Sequence, residues 1–535
     1  MLADTADCRQ VQRDTLERLL RLGVGSRFQA ERGLRPGLTA AQFAAAAGLT
    51  QYDDYELAIE QVLVGDTQAL LGASQKPVMF ALSSGTTGRT KHIPVTREFL
   101  ADYRRGWQAW GIGTFDTHRR LHTHSIFQMA SCHNRSETAS GVACGNISGL
   151  VQTMQSPVVR TMYSVPCAAL SVRDPQAKAY VALRAGLADP RVVMAMAANP
   201  STLVQLAELA ATRSEDLIRD LRDGTLSVDV PPELRRRLSR RHARRARQLD
   251  RMVEQAGTLT PAMYWPKLSV LACWTGGSCA AYLPKLRTLY RTPSGAAVPI
   301  RDHGLSASEG RMTIPIEDGT ASGLLDTRSH FFEFVPEDEI ESDDPSTRLA
   351  HELEIGQTYF ILLTTTSGLV RYDIHDVVRC TGHVGTTPLL EFLHKGAHIA
   401  NITGEKITES QAVHAVRAGC GASVFSVAPQ WDAASDVPPR YVLLLEPPAE
   451  AAIERIDAAL REANEEYDEK RASGRLGCLA MREIPPGTFA ALARKRQAGV
   501  GGSAEQYKHP FLLPQLDAID SLLRLSPTQT EPVPA

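Results

Sequence analysis

The sequence predicts an α/β protein with a large sheet-containing N-terminal domain and a smaller α+β C-terminal domain. At 535 residues the chain is too long for one ordinary core, so two or more domains are expected. Short apolar runs with strand character alternate with helical patterns, which indicates at least one large sheet. After about residue 400 the pattern restarts on a smaller scale. We therefore expect one domain over residues 1–400 and a second over residues 401–535.

The elements of the N-terminal domain can be assigned in chain order. The first 75 residues carry leucines near helical spacing and are predicted to be helical. The segment "KPVMFALSSGTTG" (76–88) is typical of an apolar strand that runs into a glycine-rich turn. The remaining predictions are strands at 191–197, 267–274, 331–335 and 358–366, with helices at 201–222 and 279–290.

The C-terminal domain shows the same alternation over a shorter length. A helix near 409–418 precedes the strands "ASVFSVA" and "RYVLLLE", and a long helix over 449–469 precedes the strand "CLAMREI". The proline-rich end, "SPTQTEPVPA", predicts a frayed tail.

Composition and charge exclude several classes of protein. An apolar fraction of 43% with 22% charged residues suits a globular enzyme, and a net charge of -2 demands no charged partner. No apolar run of about 18 residues predicts a membrane span, and the charged N-terminus does not resemble a secretory signal. Nine scattered cysteines without a CxxC pair indicate neither a disulfide framework nor a zinc site. We expect a cytoplasmic monomer or weak dimer that binds no membrane.

An arginine-rich run at 235–248, "RRRLSRRHARRARQ", is the strongest charged feature. It lacks the interleaved aromatic residues of a nucleic-acid arm, and the rest of the chain does not support nucleic-acid binding. We interpret it as an exposed helical face, partly paired with neighbouring acidic side chains, and expect no nucleic-acid partner.

The stretch "SSGTTGRTK" (83–91) has the composition of a phosphate-binding loop. The usual nucleotide-triphosphate loop, GxxxxGK(S/T), places lysine directly after the second glycine. Here Lys91 lies three residues beyond Gly88, so a P-loop kinase or GTPase is disfavoured. Hydroxyls and backbone N–H groups can still wrap an anion whose charge a lysine neutralises. Taken alone, a plain glycine-rich turn remains the alternative.

The same stretch after an apolar strand resembles the phosphate loop of the adenylate-forming superfamily. That superfamily contains acyl-CoA synthetases, luciferases and peptide-synthetase adenylation domains. The resemblance implies that the triphosphate of ATP binds at Lys91 and at the loop residues Ser83, Ser84, Gly85, Thr86 and Thr87.

A second superfamily element is matched by "HGLSASEG" (303–310). In this resemblance Glu309 helps to bind Mg²⁺, a role that suits a carboxylate oxygen. The nucleotide would lie against the preceding residues, which are Leu305, Ser306, Ala307 and Ser308. Leu305 departs from the pattern, because a tyrosine is common there, and adenine would then rest on an aliphatic side chain. A surface glutamate in a turn is the alternative.

Two further segments match the nucleotide site of the superfamily. In "RYDIHDVVR" (371–379) Asp376 holds the place of the aspartate that binds both ribose hydroxyls, and Asp373 is the less favoured candidate. The segment "CWTGGSCAAY" (273–282) resembles the strand and turn over the nucleotide, with Thr275, Gly276 and Gly277 closest. An ordinary buried strand ending in a loop is the alternative there.

Near the C-terminus "GGSAEQYKHPFLL" (501–513) places Lys508 after the other motifs. Adenylate-forming enzymes carry one mobile lysine in their small domain that reaches the α-phosphate and the carboxylate. A cation there stabilises the charge that develops on phosphorus. Standing alone, a lysine in this position would be an ordinary solvated side chain.

The motifs together resemble the Gretchen Hagen three family, the auxin-responsive acyl acid amido synthetases and their bacterial relatives. The resemblance runs from about residue 76 to 513 and rests on "SSGTTGRTKHIPVT", "NPSTLVQLAEL", "WPKL", "SASEG", "FFEFVP", "RYDIHDVV", "GEKITE" and "QYKHP". It implies an adenylation domain with a β-barrel over 1–400, a hinge near "TGEKITE", and a mobile lid over 401–535. It also implies that ATP and Mg²⁺ convert a carboxylic acid to an acyl adenylate, which an amine, typically an amino acid, then attacks.

Two other functions fit the same motifs. The acyl group could pass to a thiol of coenzyme A or of a carrier protein, although no carrier domain is evident. A nucleotide-binding homologue without activity would keep the fold alone, but Lys91, Glu309, Asp376 and Lys508 favour an enzyme. The acyl pocket is open: Trp107, Trp110, Phe127, Met129 and Met162 suit it and suit an ordinary core equally well.

Overall fold

The computed structural model describes most of the chain and divides it into two compact units. The larger unit is built mainly from residues up to Leu393, and the smaller unit mainly from residues that begin at His394. The residues described are 2–84, 90–129, 136–147, 149–150, 157–172, 174–340, 342, 345–396, 399–422, 424–432, 435, 437–448, 450–498 and 509–525.

Helices dominate the first part of the larger unit, as the leucine spacing predicts. The helix Cys8–Leu22 begins at Asp7, whose side chain accepts from the Gln10 N–H and so caps it. The other helices of this unit are Arg27–Glu31, Ala40–Ala47, Glu56–Leu63, Arg97–Thr117, Pro157–Arg160, Pro175–Ala188, Pro200–Thr212, Ser214–Asp223, Pro232–Arg237, Ala243–Ala256, Pro261–Tyr264 and Leu283–Leu289. Across the described ranges, no helix combines the length and apolarity that a membrane crossing requires.

Two four-stranded sheets lie in the larger unit. The first has the order β2-β1-β5-β4, with β1 Pro77–Ser84, β2 Thr90–Thr96, β4 Ser136–Glu137 and β5 Ala143–Gly145. The second is parallel throughout, with the order β3-β6-β7-β8: β3 Ser125–Gln128, β6 Val192–Met196, β7 Val270–Cys273 and β8 Ile300–Asp302. The fully apolar runs of β6 and β7 are buried, which is typical of parallel strands covered on both faces. The strands β6 and β7 confirm the predictions at 191–197 and 267–274.

A seven-stranded sheet and a small hairpin complete the larger unit. The sheet order is β11-β12-β17-β16-β15-β13-β14, with β11 Thr313–Ile314, β12 Gly323–Leu325, β13 Phe331–Pro336, β14 Arg348–Leu349, β15 Thr358–Thr364, β16 Tyr372–Val384 and β17 Thr387–Lys395. The hairpin pairs β9, Ser306–Ala307, with β10, Gly310–Arg311. One core packs the N-terminal helices against this sheet, where the rings of Phe43 and Phe331 meet edge to face.

The smaller unit is an α+β fold. Its strands are β18 Ile399–Ala400 paired with β19 Ile407–Thr408, and a sheet of β20 Ser426–Gln430, β21 Arg440–Leu445 and β22 Ala480–Glu483. Its helices are Glu409–Gly419, Ile453–Ala463, Glu465–Ala472, Thr488–Ala498 and Ala518–Leu523. The chain near Leu512 pairs in parallel with Val427 and so extends the edge of this sheet.

Two of the predicted long helices are broken in the structure. The helix expected at 449–469 ends at Ala463, because Asn464 leaves the helical conformation and its side chain caps the next helix at Tyr467. The helix expected at 201–222 breaks at Arg213, after the Thr212 hydroxyl donates to the Glu208 carbonyl, a bond that bends helices.

The arginine-rich run has a partly structural role. Arg245 is buried and donates to the main-chain carbonyls of Leu187 and Tyr264. Arg235 donates to the Leu226 carbonyl, and Arg237 pairs with Glu233. The run therefore helps to hold its own helices in place. The pair of Arg237 with Glu233 agrees with the predicted paired face, whereas Arg245 is buried and not on the exposed face that the sequence predicts.

Candidate active site

Lys91 lies between two tyrosines at the start of β2. Its ammonium nitrogen is 3.4 Å from the hydroxyl oxygen of Tyr372 and 5.1 Å from the ring centroid of Tyr52. The Tyr52 hydroxyl also accepts a hydrogen bond of 2.9 Å from the His92 N–H. The two rings thus hold the predicted phosphate lysine by a hydrogen bond and by cation–π attraction.

A short main-chain pairing brings the two tyrosines together. Thr50 pairs with Tyr372 at the start of β16, through bonds from the Thr50 N–H to the Arg371 carbonyl and from the Asp373 N–H to the Thr50 carbonyl. The 3-10 helix Tyr52–Tyr55 follows directly. Thr50 and Tyr372, which are 322 positions apart in the sequence, are therefore placed side by side.

The hairpin that contains Ser308 and Glu309 lies against the strand that leads into the phosphate loop. Ser308 and Glu309 form the turn between β9 and β10. The Ser308 hydroxyl donates to the Leu82 carbonyl near the end of β1, at 3.3 Å. The structure therefore places the turn that contains Ser308 and Glu309 beside the end of β1, more than 200 residues away in the sequence.

Glu309 is a buried carboxylate, with 7% of the residue exposed. Among the described residues it forms no ion pair and accepts no hydrogen bond. Its charge acts on both tyrosines: the pKa of Tyr372 is raised well above its usual value by burial and then by Glu309. The pKa of Tyr52 is raised by burial, with smaller contributions from Glu56, Glu309 and Glu60. Both phenols stay protonated at neutral pH, so Tyr372 can accept from Lys91.

This carboxylate fits a divalent cation. A buried negative charge without an ion-pair partner is costly, and a cation beside it removes that cost. Within the described ranges no group of three or more His, Cys, Asp or Glu side chains could hold a metal ion. Mg²⁺ needs no such group, because it usually takes one or two carboxylates together with waters and substrate phosphates.

Asp376 lies in a bulge of β16. Phe360 pairs with Val377 and Leu362 with Asp373, so three residues of β16 stand opposite one residue of β15. His375 in this bulge has φ of +58°, an uncommon conformation for a residue other than glycine. Asp376 is buried, with 3% exposed. Bulges of this kind re-aim side chains and are frequent beside active sites.

Asp373, the less favoured ribose candidate, is used locally. One of its carboxylate oxygens accepts from the His375 N–H at 2.7 Å, and the other lies 3.0 Å from the His375 ring nitrogen. Both oxygens therefore help to fix the bulge. This arrangement favours Asp376 over Asp373 for a ligand.

The glycine turn after β7 has a structural requirement of its own. Gly277 has φ of +57°, and a Cβ there would lie 2.8 Å from the Leu393 carbonyl oxygen of β17. Thr275 is buried, and its N–H and hydroxyl both donate to Asp302, at 2.5 and 2.6 Å. Close packing therefore accounts for Gly277 without a ligand. Thr275 and Gly276 lie in the same turn, after the buried strand that the alternative expects.

The hairpin backbone is linked to this turn. The other oxygen of Asp302 accepts from the Gly304 N–H at 2.5 Å, and the Trp274 indole donates to the Gly304 carbonyl at 3.0 Å. Leu305 packs against the core of the larger unit, and its N–H donates to the Thr313 hydroxyl. Ser306 and Ala307 form β9 and are half-buried.

The five candidates for the acyl pocket differ in their burial and contacts. Phe127 is fully buried and packs on Trp265, so it belongs to the core. Trp107 is partly buried on the helix Arg97–Thr117, and the guanidinium of Arg311 lies 4.3 Å from its ring centroid. Trp110 on the same helix is buried and donates to the Asp302 carbonyl. Met162 packs beside Trp110, and Met129 is half-buried.

Several predicted site residues cannot be placed. Gly85, Thr86, Thr87 and Lys508 lie outside the described residues, as do the side chains of Ser83 and Ser84. In the smaller unit the described chain resumes at His509, whose ring nitrogen lies 2.8 Å from the Phe425 carbonyl oxygen. The Phe511 N–H donates to Glu409 at 2.6 Å. The segment directly after Lys508 is therefore fixed to the sheet of its own unit.

Glu405 organises the predicted hinge segment. It is fully buried and accepts from the Ile402 and Thr403 N–H groups, from the Thr403 hydroxyl and from the Tyr441 hydroxyl. These bonds fold "TGEKITE" tightly before the helix that begins at Glu409.

Three residues of this site were not predicted from the sequence. Tyr372 stands within a recognised motif, and an aromatic residue beside the ribose aspartate could have drawn attention. Tyr52 and Asp302 carry no local signal, because each acts through a contact with a distant segment.

Comparisons with known proteins cover nearly the whole chain. It matches the GH3 family N-terminal domain over residues 1–293, the central domain over 323–395 and the C-terminal domain over 409–516. A jasmonoyl–L-amino acid synthetase, GH3.5 of Oryza sativa subsp. japonica, is 25% identical over 572 residues, which cover 98% of this chain and 96% of the relative. The indole-3-acetic acid-amido synthetase GH3.10 of Arabidopsis thaliana is 24% identical over 558 residues, covering 94% and 92%.

A solved structure supports the fold. The acyl acid amido synthetase GH3.15 superposes with a TM-score of 0.65 at 20% sequence identity, covering 98% of this chain and 94% of that one. Because the N-terminal domain match alone spans more than half of the 535 residues, and the other two domains follow in order, the family is established. This chain belongs to the GH3 family.

Proposed function

We propose that this protein is an ATP-dependent acyl acid amido synthetase, a ligase that forms a carbon–nitrogen bond. One observation carries the proposal: Lys91 donates to Tyr372, whose pKa is raised by burial and then by the charge of Glu309, and the Ser308–Glu309 turn is bonded to the strand that leads into the Ser/Thr/Gly loop. A cation and a buried carboxylate at one place suit a triphosphate and its Mg²⁺. The relatives named as amido synthetases support the same reaction class.

In the first step a substrate carboxylate oxygen attacks the α-phosphorus of ATP. The bond from that phosphorus to the bridging oxygen of pyrophosphate breaks, and acyl adenylate and pyrophosphate result. Lys91 would neutralise phosphate charge, and its position is fixed by the hydroxyl of Tyr372 and the ring of Tyr52. Ser83, Ser84, Gly85, Thr86 and Thr87 would complete the phosphate site.

The nucleoside would lie between the two segments that Asp302 links. We assign Thr275, Gly276 and Gly277 to one side of it, and Leu305, Ser306, Ala307 and Ser308 to the other. Asp376 would accept hydrogen bonds from the ribose hydroxyls. Its burial in a bulge with an uncommon backbone conformation at His375 supports that role, since such conformations cluster at functional sites.

Glu309 would hold Mg²⁺, which supplies charge neutralisation on the phosphates when it is bound. The fit rests on a buried carboxylate that has no ion-pair partner among the described residues. Lys508 would supply a further cation at the α-phosphate during adenylation, an expectation carried by the family motif alone. The assignment of residues 401–535 as a mobile lid rests on the same ground.

In the second step a neutral amine attacks the acyl carbon, AMP leaves with its oxygen, and the amine loses a proton. Adenylation is needed because oxide is a poor leaving group whereas AMP is a good one. Jasmonoyl-amino acid and indole-3-acetic acid-amido synthetases among the relatives favour an amino acid as the amine and a carboxylic acid with an apolar body. Trp107, next to the hairpin residue Arg311, is our candidate for contact with that body.

An ATP–pyrophosphate exchange screen over a panel of carboxylic acids tests the first step. We expect pyrophosphate exchange with at least one acid. If no acid supports exchange at Mg²⁺ and ATP concentrations that saturate related ligases, the protein has no adenylation activity. The productive acid is then incubated with single amino acids or with coenzyme A. An amide product supports the proposal, whereas a thioester formed in its place would assign the thiol-transferring alternative.

A further inference from the structure

We propose that Asp302 is a positioning residue that holds the two nucleotide-facing segments, the Thr275 turn and the Gly304–Glu309 hairpin, in a fixed register. The inference rests on the proposed function for the identity of the ligand. The contacts themselves do not depend on it. Asp302 ends β8, the last strand of the parallel sheet. Ligands of open parallel sheets bind beyond the carboxyl ends of the strands, which is where this side chain lies.

The carboxylate of Asp302 bonds to both segments at once. One oxygen accepts from the Thr275 N–H at 2.5 Å and from the Thr275 hydroxyl at 2.6 Å. The other oxygen accepts from the Gly304 N–H at 2.5 Å. Bonds to an ionised acceptor are stronger than neutral ones, so this one side chain restrains both main chains.

The main chain at Asp302 extends the link to a third element. Its carbonyl accepts from the Trp110 indole at 2.7 Å, and Trp110 lies on the helix that also carries Trp107. Asp302 therefore connects the Thr275 turn, the Gly304–Glu309 hairpin and the helix Arg97–Thr117, whose Trp107 is the candidate for contact with the acyl group. A small displacement of Asp302 would change the distance between the nucleotide and the acyl acid.

Burial makes the ionised form of the Asp302 carboxylate energetically costly. Asp302 is 3% exposed and forms no ion pair among the described residues. Burial raises its pKa to about 6, and the bonds from Thr275 and Gly304, with the charge of Arg311, lower it by less. Two other titratable groups lie beside it: Cys273, whose pKa is raised by burial and then by the charge of Asp302, and His303, the next residue. A neutral side chain would be less costly here, but only a carboxylate gives each segment an acceptor oxygen.

Asp302→Asn is the direct test. An amide keeps one acceptor oxygen for Thr275 or Gly304 and turns an N–H toward the other, so it opens one side of the link. We expect the KM for ATP in the exchange assay to rise about tenfold, while kcat per folded enzyme falls less than about threefold, as loss of a charge-assisted bond predicts. A purely structural role would lower the amount of active enzyme and leave the KM unchanged.

Asp220→Asn is the matched control. Asp220 is likewise fully buried, and it accepts from the Ser227 N–H, from the Thr225 and Ser227 hydroxyls and from Tyr180. It touches none of the proposed site residues. We expect it to lower the melting temperature without changing the KM for ATP.

Amide hydrogen exchange tests the inference without an activity assay. In Asp302→Asn we expect faster amide exchange in the peptides that cover 273–282 and 303–311, and unchanged exchange over 214–228. If Asp302→Asn does not fold, Thr275→Val removes the hydroxyl bond alone and is judged by the same measurements. An unchanged KM for ATP, or unchanged exchange in both peptides, would overturn the inference. If the wild type is inactive with every acid, but Asp302→Asn shows the expected pattern of hydrogen exchange, the proposed function is overturned and the positioning role of Asp302 stands.

Discussion

The ammonium of Lys91 donates a hydrogen bond of 3.4 Å to the hydroxyl oxygen of Tyr372. Lys91 lies at the start of β2 and Tyr372 at the start of β16, and these strands belong to different sheets of the larger unit. Their contact fixes a long, flexible cation in one direction before any phosphate binds. Preorganised charge of this kind is more effective than a free lysine, because less side-chain entropy is lost when the ligand arrives.

Tyr372→Phe removes the acceptor and keeps the ring. We expect the kcat/KM for ATP to fall about threefold to thirtyfold, which corresponds to about 0.7–2 kcal/mol for one bond to a charged group. The measurement is pyrophosphate exchange at limiting ATP.

Tyr290→Phe is the control for the loss of a buried phenol. Tyr290 is fully buried and donates to the Leu203 carbonyl at 2.7 Å, which is not one of the proposed site residues. It should lower the melting temperature and leave the kcat/KM for ATP intact. An equal catalytic loss in both variants would mean that Tyr372 serves stability and does not direct Lys91.

The sequence was sufficient for the elements with strong local patterns. The strands β6, β7, β13 and β15 lie where apolar runs predict them, since buried strands need such runs. The break at Asn464 was missed, because its side chain bonds to Lys406 and Gln411, which are distant in sequence. Periodicity alone does not register such a contact.

The candidate site divides in the same way. Motifs predict Glu309 and Asp376 as candidate site residues, whereas Tyr52 acts through space on Lys91 and lies in no motif. The conformation of His375, with φ of +58°, could not be foreseen either. Histidine gives no signal for a bulge, and glycine is the residue that such a backbone ordinarily favours.

Glu309→Gln should separate function from stability. It removes a buried charge without an ion-pair partner among the described residues, so we expect the melting temperature to stay or to rise. Exchange activity should fall by at least about a hundredfold, and the Mg²⁺ concentration for half-maximal activity should increase. Titration of activity with Mg²⁺ measures both.

Glu333→Gln gives the contrasting result. Glu333 is also buried, but it forms an ion pair of 2.9 Å with Arg371. Leaving that guanidinium unpaired should cost about 3–5 kcal/mol of stability, with the Mg²⁺ dependence of the folded fraction unchanged. If Glu309→Gln instead destabilises the protein and spares the Mg²⁺ dependence, Glu309 is no metal ligand.

Asp376→Ala should chiefly weaken the binding of ATP. Loss of bonds from ribose hydroxyls to a carboxylate predicts a KM for ATP about ten to a hundredfold higher. With 2′-deoxy-ATP the same substitution should cost less, because one of the bonds is already absent. Asp373→Ala removes the bonds to His375, so its effect should be the same for both nucleotides. If Asp376→Ala raises the KM for ATP and for 2′-deoxy-ATP by the same factor, Asp376 does not bind the ribose.

Lys508→Ala should act on one half-reaction. We expect adenylate formation to fall by orders of magnitude, while a supplied acyl adenylate still reacts with the amine at nearly the normal rate. Pyrophosphate release and single-turnover amide formation measure the two steps. Lys495→Ala is the control, since Lys495 is an exposed lysine of the same unit, on the helix Thr488–Ala498. Equal loss in both steps would refute the role.

Asp302 should make stability depend on pH in a defined window. Burial raises the pKa of this carboxyl from 3.8 to about 6 in the folded protein, so its contribution is most favourable below pH 4 and is lost as pH rises through 6. Relative to Asp302→Asn, the wild type should lose on the order of 3 kcal/mol of unfolding free energy between pH 4 and pH 7. In the folded protein His303 and Arg311 have pKa values of about 3 and about 10, so neither changes its charge there in this window. Titration of His303 in the unfolded chain, near pH 6.5, is common to both proteins and cancels in the difference. Urea unfolding of both proteins at each pH measures the difference. A difference independent of pH would show that folding does not raise the pKa of this carboxyl, which would then be ionised across the whole range.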